Sequence, residues 1–387
     1  MPGAPTVFGQ ITSSLFQTEF TRCTDRFPMP RCSRSFSAYD HFLALCFGQL
    51  TYRESLRDII TCLSARPSLQ FHLGFRGRLT RTNLAYANEH RDWRVFASIA
   101  QVLMRKAARL YQHSPSAPKL PETIFALDAS IIDLSLKLFP WAFYARSQRS
   151  AVKLHALLSL KGSFPAWAAI TQANYPEMKM LDQIPLCAGA FYVLDRAYLD
   201  FTRLRRLAQA GAFFVVRNKC HVRFRVLVRR SVAPSTGLRC DQTVRLTTTR
   251  SGHAYSQPLR RVLYRDVERH RRLEFLTNNF ALPAPVICQL YRRRWEVELF
   301  FKWVKQHLRL RHFYGRSENA IRCQIWTAIC AYLLVAIAKK QLNLDQSLYH
   351  MLQVVSVSAF EQVSLHELFT RPQSNAIAET QQNLSLI

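Results

Sequence analysis

The sequence predicts an α/β protein in which an all-helical region precedes a mixed-sheet core, and a mostly β insertion interrupts that core. Three observations predict this architecture. Apolar residues recur at helical spacing through residues 1–112. Short apolar strands then alternate with helices over 122–217. Strand-like runs separated by turn residues, without helices between them, fill 218–280.

Composition indicates a folded, soluble protein. The 387 residues are 49% hydrophobic and 12% aromatic, enough for a packed core and for two or three domains. The ten cysteines are scattered without a C-x-x-C pair, so we expect reduced thiols rather than a zinc ribbon or a redox motif. The N-terminus lacks the pattern of a signal peptide. The most apolar segment, 325–338, is too short to span a membrane and predicts a buried core helix in a cytoplasmic protein.

The net charge of +28 indicates a polyanionic partner. Nucleic acid is the commonest polyanion, which predicts association with the nucleoid, and a membrane surface is the alternative. The charge is uneven: residues 1–120 carry +9, 121–200 are neutral, 201–284 carry +14 and 285–387 carry +5. A neutral block with several carboxylates therefore lies between basic blocks. That pattern is typical of an acidic metal site reached through a positive channel.

The helical region 1–112 is predicted to be a DNA-binding domain. Helices are expected over 37–50, 54–63 and 94–111. Between them Arg76, Arg78 and Arg81 lie near hydroxyl residues, a composition suited to phosphate contact. A plain helical domain with a basic surface explains the same residues equally well.

Domain boundaries follow from changes in composition and pattern. A Pro/Ser-rich linker at 113–121 ends the helical domain. After it we expect the first part of a catalytic domain, a basic β-rich insertion, the second part of the catalytic domain, and a C-terminal helical segment with a loose tail. Their predicted ranges are 122–217, 218–280, 281–342 and 343–387.

Three carboxylates are candidates for chemistry. Two predicted strands end in an isolated aspartate, Asp128 and Asp195. Either one alone is more often a turn or cap residue, but two such strand ends indicate the rim of a sheet. Glu298 is on a long predicted helix, Pro285–Leu308, and forms a polar stripe with the residues at helical spacing from it, Tyr291, Arg294 and Lys305. A solvated helix with ordinary ion pairs is the alternative, but the aromatic residues around the stripe favour an enclosed helix.

Carboxylates brought together are unstable unless a cation neutralises them. Hard oxygen ligands select Mg2+ or Mn2+. Two such ions about 3.5–4 Å apart can activate a water or a 3′-hydroxyl and stabilise the leaving oxygen at a phosphodiester. The sequence therefore predicts a site for phosphoryl transfer on a nucleic acid.

These residues resemble the DDE transposases of the bacterial insertion-sequence-four family. Tyr291, Arg294, Glu298 and Lys305 are the most specific match, because they reproduce the Y-x2-R-x3-E-x6-K signature with every spacing kept. Leu127-Asp128 and Tyr192–Tyr198 are similar to the family's strand motifs, although Ala197 stands where the family usually has Gly. Segments between Phe36 and Phe96 resemble the helical module of one branch. The resemblance covers the chain from about residue 7 to residue 340.

The resemblance implies a ribonuclease H-like catalytic core in which Asp128, Asp195 and Glu298 are the catalytic residues and bind two Mg2+ ions, with Mn2+ as a substitute. It implies that Tyr291, Arg294 and Lys305 contact phosphates at the transposon end. The enzyme would cleave at terminal inverted repeats and join the freed 3′ ends to target DNA. Relatives form a hairpin on the DNA end, and one holds a displaced base with a Trp in the β insertion. Residues 218–290 contain no Trp, so Tyr255 and Tyr264 are the candidates for stacking.

The expected partners are double-stranded DNA and a second copy of the chain, because joining two DNA ends needs two active sites. We expect no membrane and no small-molecule substrate. Two other functions use the same residues: a nuclease or resolvase without strand transfer, and a catalytically silent or repurposed DNA-binding protein. The intact triad argues against the second. A glycosidase with two carboxylates explains neither the charge nor the basic insertion.

Overall fold

The computed structural model describes residues 5–15, 17–27, 36–112, 120–134, 139–144, 149–233, 237–266, 271–307 and 313–370. Most of the predicted linker at 113–121 lies outside these residues. So do Leu308, at the end of the long predicted helix, and residues 371–387, which include the predicted loose tail.

Helices make up the N-terminal part of the described chain, as predicted. They are α1 Val7–Thr12, α2 Gln17–Thr24, α3 Ala38–Leu50, α4 Leu56–Ser64, α5 Arg81–His90 and α6 Arg94–Tyr111. The three helices expected from the sequence are α3, α4 and α6. α3 begins with a capping box, in which Ser37 and Asp40 each accept a hydrogen bond from the other's backbone N–H.

One mixed sheet follows. Its first strands are β1 Ile124–Leu134, β2 Phe143–Tyr144, β3 Arg149–Ser159, β4 Phe164–Gln172, β5 Phe191–Leu194 and β6 Phe213–Arg217, and helix α7 Phe201–Gln209 connects the last two. β3 pairs antiparallel with both β4 and β1, whereas β1, β5 and β6 pair in parallel. The order β4-β3-β1-β5-β6 is that of a ribonuclease H-like core, which confirms the predicted fold class. The short strand β2 also pairs with β3.

The insertion is mostly β, as predicted, and it extends the same sheet. It consists of β7 Phe224–Arg230, β8 Leu238–Leu246, the short helix α8 Thr249–Ala254, β9 Leu259–Asp266 and β10 Arg271–Thr277. β10 pairs antiparallel with β6 of the core, and β9, β8 and β7 follow outward. The helix α8 begins within this β-rich region because the Thr248 side chain accepts a hydrogen bond from the Ser251 backbone N–H.

The C-terminal part of the described chain is helical. Its helices are α9 Ala284–Arg292, α10 Trp295–His307, α11 Glu318–Gln341, α12 Leu348–Ser358 and α13 Leu365–Thr370. The prediction of one continuous helix over Pro285–Leu308 is wrong, because the chain turns at Arg293 and Arg294. At this turn, hydrogen bonds between residues three apart replace those between residues four apart. The Arg294 N–H donates to the Tyr291 carbonyl at 3.0 Å, and the Val297 N–H donates to the Arg294 carbonyl at 3.1 Å.

α11 is the central core helix. It contains the predicted core segment 325–338, and at 24 residues it is long and apolar enough to cross a membrane by length and composition alone. The helix is nevertheless enclosed, since 94% of its most apolar 18-residue stretch is buried inside the fold, as the predicted core helix requires. α6 and α3 pack against it. The N-terminal helices and the helices that cover the sheet therefore share one hydrophobic core.

Candidate active site

Strand register brings Asp128 and Asp195 together. β1 and β5 pair in parallel up to Leu127 opposite Leu194, so the two aspartates are the next residues on adjacent strands. Such strands lie about 4.8 Å apart, and residues opposite each other share a face. The prediction that Asp128 ends its strand is wrong, because β1 continues to Leu134. Its pairing with β5 stops at Leu127, whereas its antiparallel pairing with β3 runs on to Leu134.

The turn between α9 and α10 lies over these aspartates. The Tyr291 hydroxyl donates to Asp195 Oδ1 at 2.9 Å. Arg294 Nη1 donates to Asp128 Oδ2 at 2.9 Å, and its Nη2 donates to Glu298 Oε1. The structure thus brings five of the predicted residues into one cluster, which contains two hydrogen-bonded sets: Tyr291 with Asp195, and Arg294 with Asp128 and Glu298. We call it the triad cluster: Asp128, Asp195, Tyr291, Arg294 and Glu298.

The electrostatics of the triad cluster are those of crowded, partly enclosed charges. Burial raises the pKa of Asp128 to about 6, against the lowering effect of Arg294, and the nearby Asp195 adds to the rise. Burial and the adjacent Asp195 raise the pKa of Tyr291 to about 12. Burial lowers the pKa of Arg294, but Tyr291 and Asp128 outweigh it, so the guanidinium stays charged.

A set of polar contacts fixes the start of α10 to the turn between β3 and β4. Arg293 Nε donates to Glu296 Oε1 at 2.7 Å, and its Nη2 donates to the Leu160 carbonyl. The Ser163 hydroxyl donates to Glu296 Oε2 at 2.7 Å. These residues position Arg294 and Glu298 without touching the other carboxylates. Sequence reasoning missed them, because Arg293 and Glu296 meet Leu160 and Ser163 across 133 positions of the chain.

The donor set suits a hard divalent cation, although Arg294 lies between two of the donors. Within the described residues no group of three or more His, Cys, Asp or Glu side chains is gathered closely enough to hold a metal ion. The Arg294 guanidinium bridges Asp128 and Glu298 instead. Its Nε is buried without a hydrogen-bond partner, so the bridge leaves one donor unsatisfied. A cation bound by these carboxylates would require Arg294 to release one of them.

Four predicted DNA-contacting residues lie outside the triad cluster. Lys305 is exposed on α10, two turns beyond Glu298. Arg76, Arg78 and Arg81 are exposed at the N-terminal helices. The Arg76 guanidinium lies 4.0 Å from the centre of the Phe71 ring, and its backbone N–H donates to Asp40.

Other residues near the site have different surroundings. Lys153 and His155 lie opposite Ile131 and Ala129, on the face of β1 away from Asp128, and are buried. Lys153 Nζ donates to Glu177 at 3.3 Å. Tyr255 is 1% exposed, so the prediction that it could stack on a displaced base is wrong. The Tyr264 hydroxyl accepts a hydrogen bond from Arg292 at 3.0 Å.

Tyr198 is a neighbour of the site to which sequence reasoning assigned no role. It is fully buried in the turn after β5, and its hydroxyl has no hydrogen-bond partner within the described structure. Burial and the charges of Asp128 and Glu177 raise its pKa. Its position three residues after Asp195 is the one sequence signal that could have indicated it.

Fold and site together define a class: nucleic-acid phosphoryl-transfer enzymes with a ribonuclease H-like core and an acidic site. The comparisons with known proteins make this specific. The transposase DDE domain model matches residues 119–334, more than half of the chain. The chain therefore belongs to the DDE transposase family, as the sequence signature indicated, and is a DNA-binding, DNA-cleaving enzyme. Enzymes with this domain depend on divalent metal ions. A domain of unknown function, DUF4372, matches residues 4–76.

The curated relatives agree with this assignment. The chain is 29% identical to y4zB of Sinorhizobium fredii, named as a transposase, over 76% of this chain and 81% of that protein. It is 31% identical to a protein named as the transposase of insertion sequence element IS5377 of Geobacillus stearothermophilus, over 59% of this chain and 61% of that protein. It is 24% identical to a protein named as the transposase of insertion sequence element IS4SA of Synechocystis, over 64% of this chain and 69% of that protein. A piggyBac transposase synaptic complex with hairpin DNA aligns over all of this chain and 87% of its own at 10% identity, but its TM-score of 0.40 is too low to support conclusions.

Proposed function

We propose that this transposase binds the terminal inverted repeats of its insertion sequence, cleaves the DNA ends and joins them to target DNA, with Asp128, Asp195 and Glu298 as its metal ligands. The observation that supports this most strongly is the parallel register of β1 and β5, which places two aspartates side by side beneath the helix that carries Glu298. Two Mg2+ ions, replaceable by Mn2+, would polarise the phosphodiester and activate the attacking hydroxyl.

Arg294 would have two roles in this function. Without DNA, its guanidinium neutralises Asp128 and Glu298, which would otherwise repel each other in a poorly solvated site. A phosphate of the transposon end would compete for the same guanidinium, because arginine binds phosphate as well as carboxylate. DNA binding would then release carboxylates for the metal ions. The metal ions would therefore bind after the DNA.

Tyr291 and Lys305 would complete the contacts with the DNA end. Tyr291 is held by its bond to Asp195, and the Arg294 guanidinium lies over its ring, 5.7 Å from the ring centre. Lys305 is exposed about 10 Å further along α10, a distance that suits the next phosphates of a bound strand. The exposed Arg76, Arg78 and Arg81 would add contacts from the N-terminal helices, without sequence specificity.

The assembly and location follow from the reaction. Two ends must be joined, so we propose a homodimer on DNA, acting on the nucleoid in the cytoplasm. No small-molecule substrate and no membrane enters the mechanism. The reaction would depend on position and charge rather than on a covalent enzyme intermediate.

The test is cleavage of a labelled duplex that carries the element's terminal repeat, in Mg2+ or Mn2+, by the wild type and by Glu298→Gln. We expect nicking at the repeat boundary that falls by about 10³-fold or more in the variant while DNA binding persists. Glu318→Gln is the matched control, because Glu318 is an exposed glutamate at the start of α11.

Equal cleavage by wild type and Glu298→Gln would contradict the assignment of the triad. If both proteins bind the repeat and neither cuts with either metal, the chain is a silent or repurposed DNA-binding protein. Cleavage without joining of the 3′ end to a target duplex would indicate a nuclease or resolvase.

A further inference from the structure

Helix α5 presents an exposed polar and aromatic face. Thr82, Tyr86 and His90 recur every four residues along one side of the helix and are exposed, and Asn83 beside them is partly exposed. Tyr86 is 46% exposed. Its ring stacks on the His90 ring with the ring centres 4.1 Å apart, so the tyrosine is held in place at the surface. A tyrosine fixed in this way offers a partner both an apolar ring and a hydroxyl.

The opposite side of α5 is fixed to the core. Leu84, Ala87 and Asn88 are buried, and the helix packs against α3, α4 and α11. At its C-terminal end, Asn319 Nδ2 donates to the Asn88 carbonyl at 3.1 Å and to the Arg91 carbonyl at 2.8 Å. These bonds satisfy carbonyl groups that the end of a helix leaves without a helical partner. The exposed face of α5 is therefore held rigidly on α11.

Cations surround the N-terminal end of α5. Arg76, Arg78 and Arg81 are all exposed there. The one carboxylate of the helix, Glu89, lies near the other end, with its Oε1 against Gly315. Arginines bind DNA phosphates, and the partial positive charge of a helix N-terminus adds to their attraction. The charge distribution therefore favours an approach in which the N-terminal end of α5 meets the DNA backbone.

The side chains on this face match the edges of base pairs. Thr82 and Tyr86 are about 6 Å apart along the helix axis, close to the rise of two base pairs of B-DNA. The major groove is wide enough to admit an α-helix. There a threonine contacts either a polar base edge or a thymine methyl, and an asparagine such as Asn83 can bind adenine through two hydrogen bonds. The Tyr86 ring adds an apolar surface for a thymine methyl.

We propose that α5 lies in the major groove of the terminal repeat and reads its base pairs through Thr82, Asn83 and Tyr86. The arginines at its N-terminal end would hold the helix in register, but they cannot select a sequence, because every sequence presents the same phosphates. The His90 ring would keep Tyr86 in position. This inference rests on the proposed binding of the repeats and names the residues that would make that binding sequence-specific.

The test compares the affinity of the full chain for the element's terminal-repeat duplex with that for a scrambled duplex of the same composition, by fluorescence anisotropy at one salt concentration. Thr82→Ala, Asn83→Ala and Tyr86→Ala should each lower the ratio of the two affinities about fivefold or more, because a base contact is lost. Arg81→Ala should weaken binding to both duplexes and leave the ratio unchanged. Thr21→Ala is the matched control, because Thr21 is an exposed threonine on α2.

A scan of the repeat, with one base pair replaced at a time, tests the geometry. Thr82→Ala should become insensitive to replacement at one position, and Tyr86→Ala at another position about two base pairs away. Both residues are exposed and alanine is the best helix former, so the variants should keep the wild-type circular dichroism. A loss of sensitivity spread equally over all positions would contradict base reading by these side chains.

Other outcomes separate this inference from the proposed function. If the wild type prefers the repeat and the three α5 variants prefer it equally, α5 does not read bases and the proposed function stands. Equal weakening on both duplexes would make α5 a phosphate contact and overturn the inference. A wild type that does not distinguish the two duplexes would overturn the inference and the proposed repeat binding together. A preference that depends on Thr82 and Tyr86 in a protein that cuts neither duplex would support the role of α5 and contradict the catalytic part of the proposed function alone.

Discussion

Arg260 and Arg294 both bind carboxylates away from the open surface, and they are bonded in different ways. In the insertion, Arg260 forms a two-point pair with Asp241, through Nε at 2.8 Å and Nη2 at 2.7 Å, and its Nη1 donates to the Leu282 carbonyl. Every nitrogen has a partner. In the triad cluster, Arg294 divides its two terminal nitrogens between Asp128 and Glu298, and its Nε has none.

The difference in bonding corresponds to a difference in role. The Arg260 pair is closed: its side chains are 4% and 7% exposed, and it ties β8 and β9 to the loop before α9. The Arg294 contacts are open: Arg294 is 16% exposed, and Glu298 is 34% exposed. Each carboxylate can leave Arg294 separately. A guanidinium that binds both oxygens of one carboxylate stabilises a fold. A guanidinium shared between two carboxylates can exchange one of them for another ligand.

The largest expected effect comes from breaking the closed pair. Arg260→Met keeps the aliphatic stem but leaves Asp241 buried, and we expect urea unfolding to show a loss of about 3–5 kcal/mol. The double variant Arg260→Met/Asp241→Leu should recover most of it, because no buried charge remains. A loss below about 1 kcal/mol in the single variant would show that Arg230, 3.3 Å from Asp241, already suffices as its partner.

A smaller effect is expected at Asp128, and it depends on pH. Burial raises the pKa of this carboxyl to about 6, above its ordinary value of 3.8. The folded state therefore holds this proton more tightly than the unfolded state, so ionisation costs stability as pH rises from about 4 to about 6. Asp128→Asn, which mimics the protonated form, should be more stable than wild type by up to about 3 kcal/mol at pH 8. At pH 4 the gain should disappear. A gain that is equal at both pH values would contradict the raised pKa.

The smallest expected effect is on metal affinity without DNA. Arg294→Met removes the cation that competes for Asp128 and Glu298, so Mn2+ titrated calorimetrically should bind about tenfold more tightly, or about 1.4 kcal/mol. Arg292→Met, an exposed neighbour, is the control. Weaker Mn2+ binding in Arg294→Met would show that the guanidinium orders the carboxylates for metal instead of competing for them. The same variant should lose cleavage, because the DNA phosphate loses its ligand.

Much of the architecture could be predicted, since helical periodicity and apolar runs are local properties. The capping box at Ser37 and the strands around both aspartates are read from a few neighbouring residues. The end of a strand depends on its partners instead. The sequence after Asp128 looks like a break, but pairing with β3 carries the strand on to Leu134. Likewise, only long-range pairing shows that the insertion extends the core sheet through β10.

The candidate site was predictable in its members but not in its contacts. The spacing of Tyr291, Arg294 and Glu298 indicated one face, although the helix turns between α9 and α10. The contact of Arg294 with Asp128 spans 166 positions, and no local pattern could have indicated it. Ser163, with its positive φ of 52°, and Glu296 anchor α10 through a similar distance. Such contacts follow from the packing of helices on the sheet, which one sequence does not specify by periodicity.

The parallel register of β1 and β5 has a consequence for length variation. Successive residues of a strand alternate between faces, so deleting one residue within Ile124–Leu127 or Phe191–Leu194 would turn the following aspartate to the opposite side of the sheet. Loops between these strands can lengthen without that effect. Among natural or engineered variants, we therefore expect insertions and deletions throughout the connections and none in these two four-residue segments.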